Sequence, residues 1–581
     1  MDVFALFAAR VSNALSVLYP EVGADLLARI VVEPPRDSAH GDLSTNAAMV
    51  VAKPLGKNPR EVATTLAEHF GKDPDVTAVE VAGPGFINFR LATPIWHQVL
   101  RSIAQQGDDY GRSTLGQGEA VNIEYVSANP TGPMHVGHTR GAVFGDTLAA
   151  LMAYSGYEVA REYYINDAGS QIDTLARSTF LRYREALGET IEIPPGFYPG
   201  DYLIPVGQAL KEEFGASLLD KPEAEALALV KDRVLAAMLE LIKADLAKLN
   251  IHHDVFFSER TLHGQGGAID TTLDWLRQEG MIYEGRLEPP KGKTPDEWED
   301  REQTLFRATD YGDDVDRPLI KSDGSYTYFA ADIAYHRNKF LRGFKHMINV
   351  LGADHSGYVK RLQAATKAVS LNAADMDVRI CQLVRLMKNG EPFKMSKRSG
   401  DLVTLADVVD EVGADATRFM LLFRRNDAAM DFDFALVKEQ TRDNPVFYVQ
   451  YAHARAYSIF KTANRDLPAL DLSPEALAKA EIELIQTPEE LDLVRVLAAW
   501  PRTVTAAAVA HEPHRIAFYV HDLAGAFHSF WAKGKDDVSL RFVNADDPKL
   551  TLARLALVDA VRQVLVNGLA ILGVSAPTEL S

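Results

Sequence analysis

From residue 121 the chain alternates strand-like and helix-like runs, and this alternation limits the possible folds more than any other feature of the sequence. VNIEYV reads as a strand, followed by a Pro/Gly loop and the helix-like HTRGAVFGDTLAALMAYSG. YEVAREYYI reads as a second strand. MINVLGADH, the helical RLQAATKAV and the strand-like DVRICQLVRL continue the pattern. Strands separated by helices are joined by crossovers, which gives a parallel sheet covered on both faces: a Rossmann-like, doubly wound α/β domain. We place it at residues 119–410. Residues 170–250 are mostly helical, broken by IPPGFYPG, and read as an insertion in that sheet. EPPKGKTPDEWEDRE (288–302) reads as a polar surface excursion.

With 581 residues the chain needs more than one core. Residues 1–108 read as an N-terminal α+β module. It opens on an amphipathic helix with Phe4, Val11, Leu15 and Leu18 at helical spacing and closes on the strand-like GFINFRLA. The aperiodic QQGDDYGRSTLGQGEA (105–120) reads as a linker. Beyond about residue 405 the pattern is helical throughout, as in NPVFYVQYAHARAYSIF and LARLALVDAVRQVLVNGLAIL, and 411–581 is expected to form an all-α domain.

A single cysteine, Cys381, excludes an internal disulfide and a Cys-based zinc site and fits a reducing cytosol. His252, His253 and Asp254 read as a solvated turn, so no metal site is expected. No apolar run is taken to approach the roughly 18 residues that cross a membrane, and the N-terminus lacks the basic start of a signal peptide. The expectation is a cytoplasmic, monomeric protein away from membranes. The net charge of −19 counts against a general nucleic-acid binder, but a local basic face still docks phosphates.

Two motifs carry chemistry. His135-Val136-Gly137-His138 follows a strand and opens a helix, where free N–H groups and the helix dipole favour phosphate and two imidazoles add donors. The glycine lets a flat base approach the backbone. Lys394-Met395-Ser396-Lys397-Arg398 lies about 250 residues later, in a polar loop after a strand. Its cations suit a triphosphate and the charge that builds on departing pyrophosphate. Each motif alone is a weak signal. No Gly-rich P-loop is present, so ATP would be held in another way.

In this order beside a parallel sheet, the two motifs resemble the HIGH and KMSKS signatures of class I aminoacyl-tRNA synthetases. IEYVSANPTGPMHVGHTRGAVFGDTLA, REYYINDAGSQI and NPVFYVQYAHAR resemble the bacterial arginyl-tRNA synthetases, and the similarity runs over essentially the whole chain. GADATRF (413–419) resembles the D-A-L-R start of that family's helical domain, with Thr417 in place of Leu.

The resemblance implies ATP with Mg2+ as substrate, no tightly bound cofactor, and arginine and tRNA(Arg) as partners. It implies that arginine joins tRNA through an arginyl-adenylate, with activation requiring bound tRNA. His135, His138, Lys394 and Lys397 would be catalytic, and His135, Gly137, His138 and Lys394 to Lys397, with Met395 and Ser396, would bind ATP. Glu124, Ser127, Asn129, His138, Tyr328, Asp332 and His355 would bind arginine, His355 standing where the family often has Gln. Phe86 and Asn88 would meet the tRNA D-loop, unless Phe86 is a strand core residue. An always-charged guanidinium calls for a carboxylate. Asp332 is the stronger candidate, with a helix-start acid as its structural alternative, while Glu124 could serve the α-amino group. A small-molecule adenylating ligase, a non-catalytic RNA-binding relative, and another class I specificity such as cysteine or glutamate stay open.

Overall fold

The computed structural model describes residues 1–287, 300–393 and 403–580. Most of the expected polar excursion and all of Lys394, Met395, Ser396 and Lys397 lie outside the described residues. The chain divides into two compact units, residues 116–439 and residues 1–115 with 440–581.

The first unit is built on a five-stranded sheet whose neighbouring strands all run parallel, in the order Asp375–Cys381, His346–Gly352, Ala120–Glu124, Glu158–Ile165, Val255–Ser258. Val121 and Ile123 are fully buried, as suits a central strand covered on both faces. From Ala120–Glu124 the chain crosses to Glu158–Ile165 on one side and later returns at His346–Gly352 on the other. The strand order therefore reverses beside the first strand, and in open parallel sheets such a reversal is where ligands bind, beyond the carboxyl ends of the strands. The helix Val136–Tyr154 packs directly over this point. Its Gly145 lies against the Tyr125 ring, where a β-carbon would sit 2.3 Å from a ring atom.

The expected insertion is the helices Ser170–Ala186, Ile204–Phe214 and Glu223–Lys248, packed through Tyr183, Leu210 and Val230. DVRICQLVRL is two strands rather than one. Asp375–Cys381 ends the parallel sheet, and Val384–Lys388 starts a small sheet with Met430–Asp433 and Glu391–Pro392. The break falls at Gln382, whose N–H donates to Asn426 O at 2.8 Å and whose carbonyl is taken by Arg140 at 2.9 Å.

The all-α domain was expected from residue 411, but Leu405–Val412 and Ala414–Leu422 belong to the sheet unit. Arg418 holds them there. Fully buried, it donates to Leu249 O at 2.8 Å and to Asp146 Oδ2 at 2.7 Å, the latter on the helix Val136–Tyr154. His253 is no solvated residue either, since its ring lies on that of Tyr125 with centroids 4.2 Å apart.

In the second unit, a four-stranded antiparallel sheet orders Val32–Glu33, Leu43–Thr45, Phe86–Leu91 and Val76–Ala82. Phe89 packs on Phe7 and Phe70 at 5.9 and 5.1 Å. The helices Val3–Leu18, Pro59–Phe70 and Thr93–Gln106 belong to the same unit, and Pro445–Asp466, Pro488–Ala498, Trp500–Ala510, His514–Asp536 and Pro548–Leu572 are the main helices of its C-terminal part. The supposed linker is half core. Tyr110 is fully buried and its carbonyl accepts from Trp500 Nε1 at 2.8 Å, whereas Gly116 already bonds Ser155 O in the sheet unit.

Residues 488–510 and 548–572 are, against expectation, long and apolar enough to cross a membrane by length and composition. In 548–572, 67% of the apolar window is buried inside the protein, which accounts for its composition as that of a core helix. A groove of about 860 Å3 is lined by Tyr451, Arg455 and Lys461 of Pro445–Asp466, Trp531 and Lys535 of His514–Asp536, and by Arg541.

Candidate active site

The crevice at the strand reversal is shaped first by His135, which caps the helix Val136–Tyr154: its Nδ1 accepts the Gly137 N–H at 3.1 Å. That bond places the proton of the neutral ring on Nε2. Gly137 is small for a reason additional to the one expected, because a β-carbon there would lie 2.8 Å from the His135 ring. His138 stacks on His135 with centroids 3.8 Å apart. Burial, then the neighbouring His135, pushes the His138 pKa down to about 4, against an opposing pull from Asp354. Burial also lowers His135. Near neutral pH the pair therefore offers N–H donors rather than charge.

The described edge of the lysine loop reaches this point. Val136 N–H donates to Val403 O at 3.0 Å, Leu405 N–H donates to Met134 O at 2.8 Å, and His135 pairs with Thr404 in an antiparallel bridge. Residues 403–405 are thus stitched to the backbone of Met134, His135 and Val136.

Glu124 ends the central strand, and the backbone then makes a γ-turn. Ser127 N–H donates to Tyr125 O at 3.1 Å, with φ of 70° at Val126 and 42° at Ser127. A β-branched residue in this region is strained, and such strain persists only where surrounding bonds enforce it. Here they do: Ser127 Oγ donates to Glu124 Oε1 at 3.1 Å and accepts from Tyr164 N–H at 3.0 Å, while Tyr163 OH donates to Ala128 O at 2.7 Å. Asn129 is exposed, its amide donating to Gln171 Oε1 at 3.0 Å.

The helix Tyr328–Leu341 forms a second wall. Thr327 caps it, so Tyr328 and Asp332 do share a face. No acid lies in its first turn, which removes the helix-start explanation for Asp332. Tyr328 is 58% exposed and Asp332 half-buried. The same face continues inward through Tyr335 and His336 to Lys339. Burial, then Glu259 and Asp332, raises the Tyr164 pKa far above its ordinary value, with a further push from Glu124. Three carboxylates thus act electrostatically on one half-buried tyrosine. His355 lies apart from them, exposed in the turn Ala353–Tyr358, with Nε2 at 3.6 Å from Asp354. Asp354 itself is close enough to His138 to influence it.

Sequence reasoning missed Tyr164, Glu259 and Lys339. For Lys339 a signal existed, since positions 332, 335, 336 and 339 repeat at helical spacing. In the N-terminal module, Phe86 is 38% exposed and is not a core residue, because its alternation partners Ile87 and Phe89 point inward. Asn88 is buried, between Ser44 and Glu80 in register. Among the described residues no cluster of three or more His, Cys, Asp or Glu could hold a metal.

Family models match the chain in the order of its modules. The arginyl tRNA synthetase N-terminal domain matches residues 6–91, the class I (R) tRNA synthetase catalytic domain residues 99–193 and 297–433, and the DALR anticodon binding domain residues 449–580. An arginine–tRNA ligase of Rhizobium etli is 61% identical across 100% of both chains. The chain belongs to the arginyl-tRNA synthetase family. An arginine–tRNA ligase of Brucella anthropi is 59% identical, again across 100% of both chains. The solved arginyl-tRNA synthetase of Thermus thermophilus shares the fold over 100% of both chains, with a TM-score of 0.74 and 21% identity. Within this synthetase, the gap between the two catalytic matches contains the helices Ile204–Phe214 and Glu223–Lys248 of the insertion. Membership over the full length sets aside the small-molecule ligase and the other class I specificities.

Proposed function

We propose that this chain attaches L-arginine to tRNA(Arg) in two steps within the sheet unit. The arginine carboxylate attacks the α-phosphate of ATP, giving arginyl-adenylate and releasing pyrophosphate. The terminal ribose hydroxyl of the tRNA then attacks the activated carbonyl, and AMP leaves. No protein nucleophile takes part; catalysis is positioning and charge stabilisation. His135 and His138, neutral and stacked, donate N–H groups to phosphate and adenosine. Lys394 and Lys397 supply the positive charge that the neutral pair cannot. Mg2+ accompanies ATP as counter-ion to its phosphates, and no cofactor is tightly bound.

The observation that supports the choice of arginine is that Glu259, Asp332 and Glu124 all act on Tyr164, on the strand next to the one that Glu124 ends. A long cationic side chain entering from Tyr328 meets carboxylates, and burying a guanidinium without an anion is costly. We assign Asp332 to the guanidinium and Glu124, at the strand end nearest HVGH, to the α-ammonium, with Ser127, Asn129, His138 and Tyr328 around them. His355, exposed and next to Asp354, is the weakest member of this set.

In the helical unit, the groove with Arg455 at 3.8 Å and Lys535 at 4.2 Å from the Trp531 ring suits unpaired tRNA bases and phosphates. Phe86, exposed at the end of its strand, suits stacking on a D-loop base. The protein acts as a cytoplasmic monomer without a membrane. ATP–pyrophosphate exchange with each amino acid, with and without tRNA, tests the whole reading. Exchange with arginine alone among them, and only when tRNA is present, is expected; exchange with another amino acid would overturn it.

A further inference from the structure

The helical insertion touches the approach to HVGH at two points that the proposed chemistry does not use. Tyr202, in the single turn Asp201–Leu203, packs its ring on the insertion's own core around Leu203, Val234 and Met238. Its hydroxyl reaches out of that core and donates to Thr131 O at 2.8 Å. Asp245, in the last turn of Glu223–Lys248, is buried, and its Oδ2 accepts the Met134 N–H at 3.1 Å. Residues 131–134 form the strap that leads into His135, so the insertion grips this strap at both ends.

The strap has little to hold it in place by itself. It lies in the run Pro130-Thr131-Gly132-Pro133-Met134, whose two prolines have no N–H, and among the described residues this run joins no strand. Met134 is buried, and a buried N–H left without an acceptor is costly. Asp245 supplies the acceptor, while Leu405 N–H donates to the Met134 carbonyl at 2.8 Å. Tyr202 fits against the strap because glycines flank its ring. A β-carbon at Gly132, on the strap, would lie 2.9 Å from the ring, and one at Gly200, on the insertion, would overlap it.

Taking the Asp245 carboxylate out of water is itself unfavourable. Burial raises its pKa, with Asp407 and Asp410 pushing the same way against the Met134 N–H and Lys248. Lys248 forms its ion pair at 3.1 Å with Asp410 on the surface. An acid kept in such a place is explained by the backbone group that it holds. One residue beyond Met134, His135 caps the helix Val136–Tyr154 and turns Nε2–H outward. Slack in the strap would move that donor, and a misplacement of about 1 Å costs on the order of a hundredfold in rate.

We propose, on the reading of His135 and His138 as the ATP site, that the insertion takes part in ATP binding: Tyr202 and Asp245 are positioning residues that hold the strap and, through it, His135.

The test is ATP–pyrophosphate exchange by the full chain with tRNA present, with ATP and arginine varied separately. Asp245→Ala removes the acceptor and is expected to lower kcat/KM for ATP at least about tenfold, the scale of a buried N–H left unpaired. Tyr202→Phe removes only the hydroxyl and is expected to lower it about threefold or more. The KM for arginine should stay within about twofold in both, because neither bond reaches the amino-acid walls. Residues that only brace the fold would weaken ATP and arginine together, and that outcome overturns the proposal.

Asp245→Asn keeps an oxygen for the Met134 N–H and is expected to recover most of the loss. If it is as damaging as Asp245→Ala, the hydrogen bond is not the cause and the proposal falls. If Asp245→Ala does not fold, Tyr202→Phe carries the test, and an unchanged kcat/KM for ATP overturns it. His135→Ala separates the inference from its premise. If that variant handles ATP like the wild type, the reading of HVGH falls. If it loses ATP while Asp245→Ala and Tyr202→Phe do not, the role of the insertion alone falls.

Discussion

In the parallel-sheet unit, Lys339, Arg342 and Arg418 are held against Glu124, Glu162 and Asp146 at 2.6, 2.7 and 2.7 Å, all largely out of water. In the groove of the helical unit, Arg455 and Lys535 instead lie over the face of Trp531, with Tyr451 exposed alongside. The two regions use cations for opposite ends. Buried and paired, a cation fixes the shape and charge of a cleft for one small substrate. Stacked and wet, it keeps its charge available for a flexible polyanion, at a low cost in desolvation. An acidic protein can therefore bind RNA without being basic overall.

The largest expected effect tests the buried side. Arg418→Met strands Asp146 and should cost about 3–5 kcal/mol of stability, the range for breaking a buried pair. Thermal unfolding followed by near-ultraviolet circular dichroism measures it, and a loss under about 1 kcal/mol would mean that the pair is hydrated. Next, Lys397→Ala should slow adenylate formation by about 2–4 kcal/mol, the effect of losing one contact to transition-state charge, with arginine affinity little changed. An exchange rate within a few-fold of wild type would remove Lys397 from catalysis.

Asp332→Asn should then raise the KM for arginine about tenfold or more while the KM for ATP holds, because it removes a charge and keeps the shape. If both constants rise together, Asp332 is structural. On the wet side, Trp531→Ala should weaken tRNA by about 1–3 kcal/mol, as for loss of a stacking platform, and leave the KM for arginine in exchange untouched. Binding of tRNA should fall steeply with salt, and a flat dependence would contradict phosphate contacts in the groove.

The smallest effect is an absence. With His138 lowered to about 4, the ring loses its proton below pH 5 and stays neutral above it. The pH profile of kcat/KM should therefore lack the step near 6.5 that an ordinary histidine would add. A step there that vanishes in His138→Asn would restore a charged imidazole to the mechanism.

How much of this was legible in the sequence depended on whether a feature was local. The strand, turn and helix around HVGH could be read because hydrophobic period and a capping residue are written within a few positions. The break at Gln382 could not, since it is imposed by Arg140, more than two hundred residues earlier. Tyr110 looked like linker because its partner, Trp500, lies on the far side of an entire domain. Residues 411–439 looked like the start of a helical domain because helical period does not say which core a helix joins. The same holds for the site: Tyr328 and Asp332 follow from spacing along one helix. Glu259 and Tyr164 follow only from the pairing of strands Glu158–Ile165 and Val255–Ser258, and Lys339 meets Glu124 only across the crevice.

The joining of residues 1–115 to 440–581 has a consequence for how the chain is made. His97, whose ring bonds Ile485 O at 2.8 Å, and Asp42, which takes Arg495 at 2.7 Å, leave the ribosome long before their partners exist. At about 5–20 residues per second, the wait is on the order of tens of seconds. The uninterrupted segment 116–439 emerges complete during that wait. It is expected to fold first, while the opening segment keeps an unfinished surface until the final helices arrive to cover it. Newborn chains halted before residue 440 would then carry a formed catalytic sheet and a sticky N-terminus, the part most in need of a chaperone.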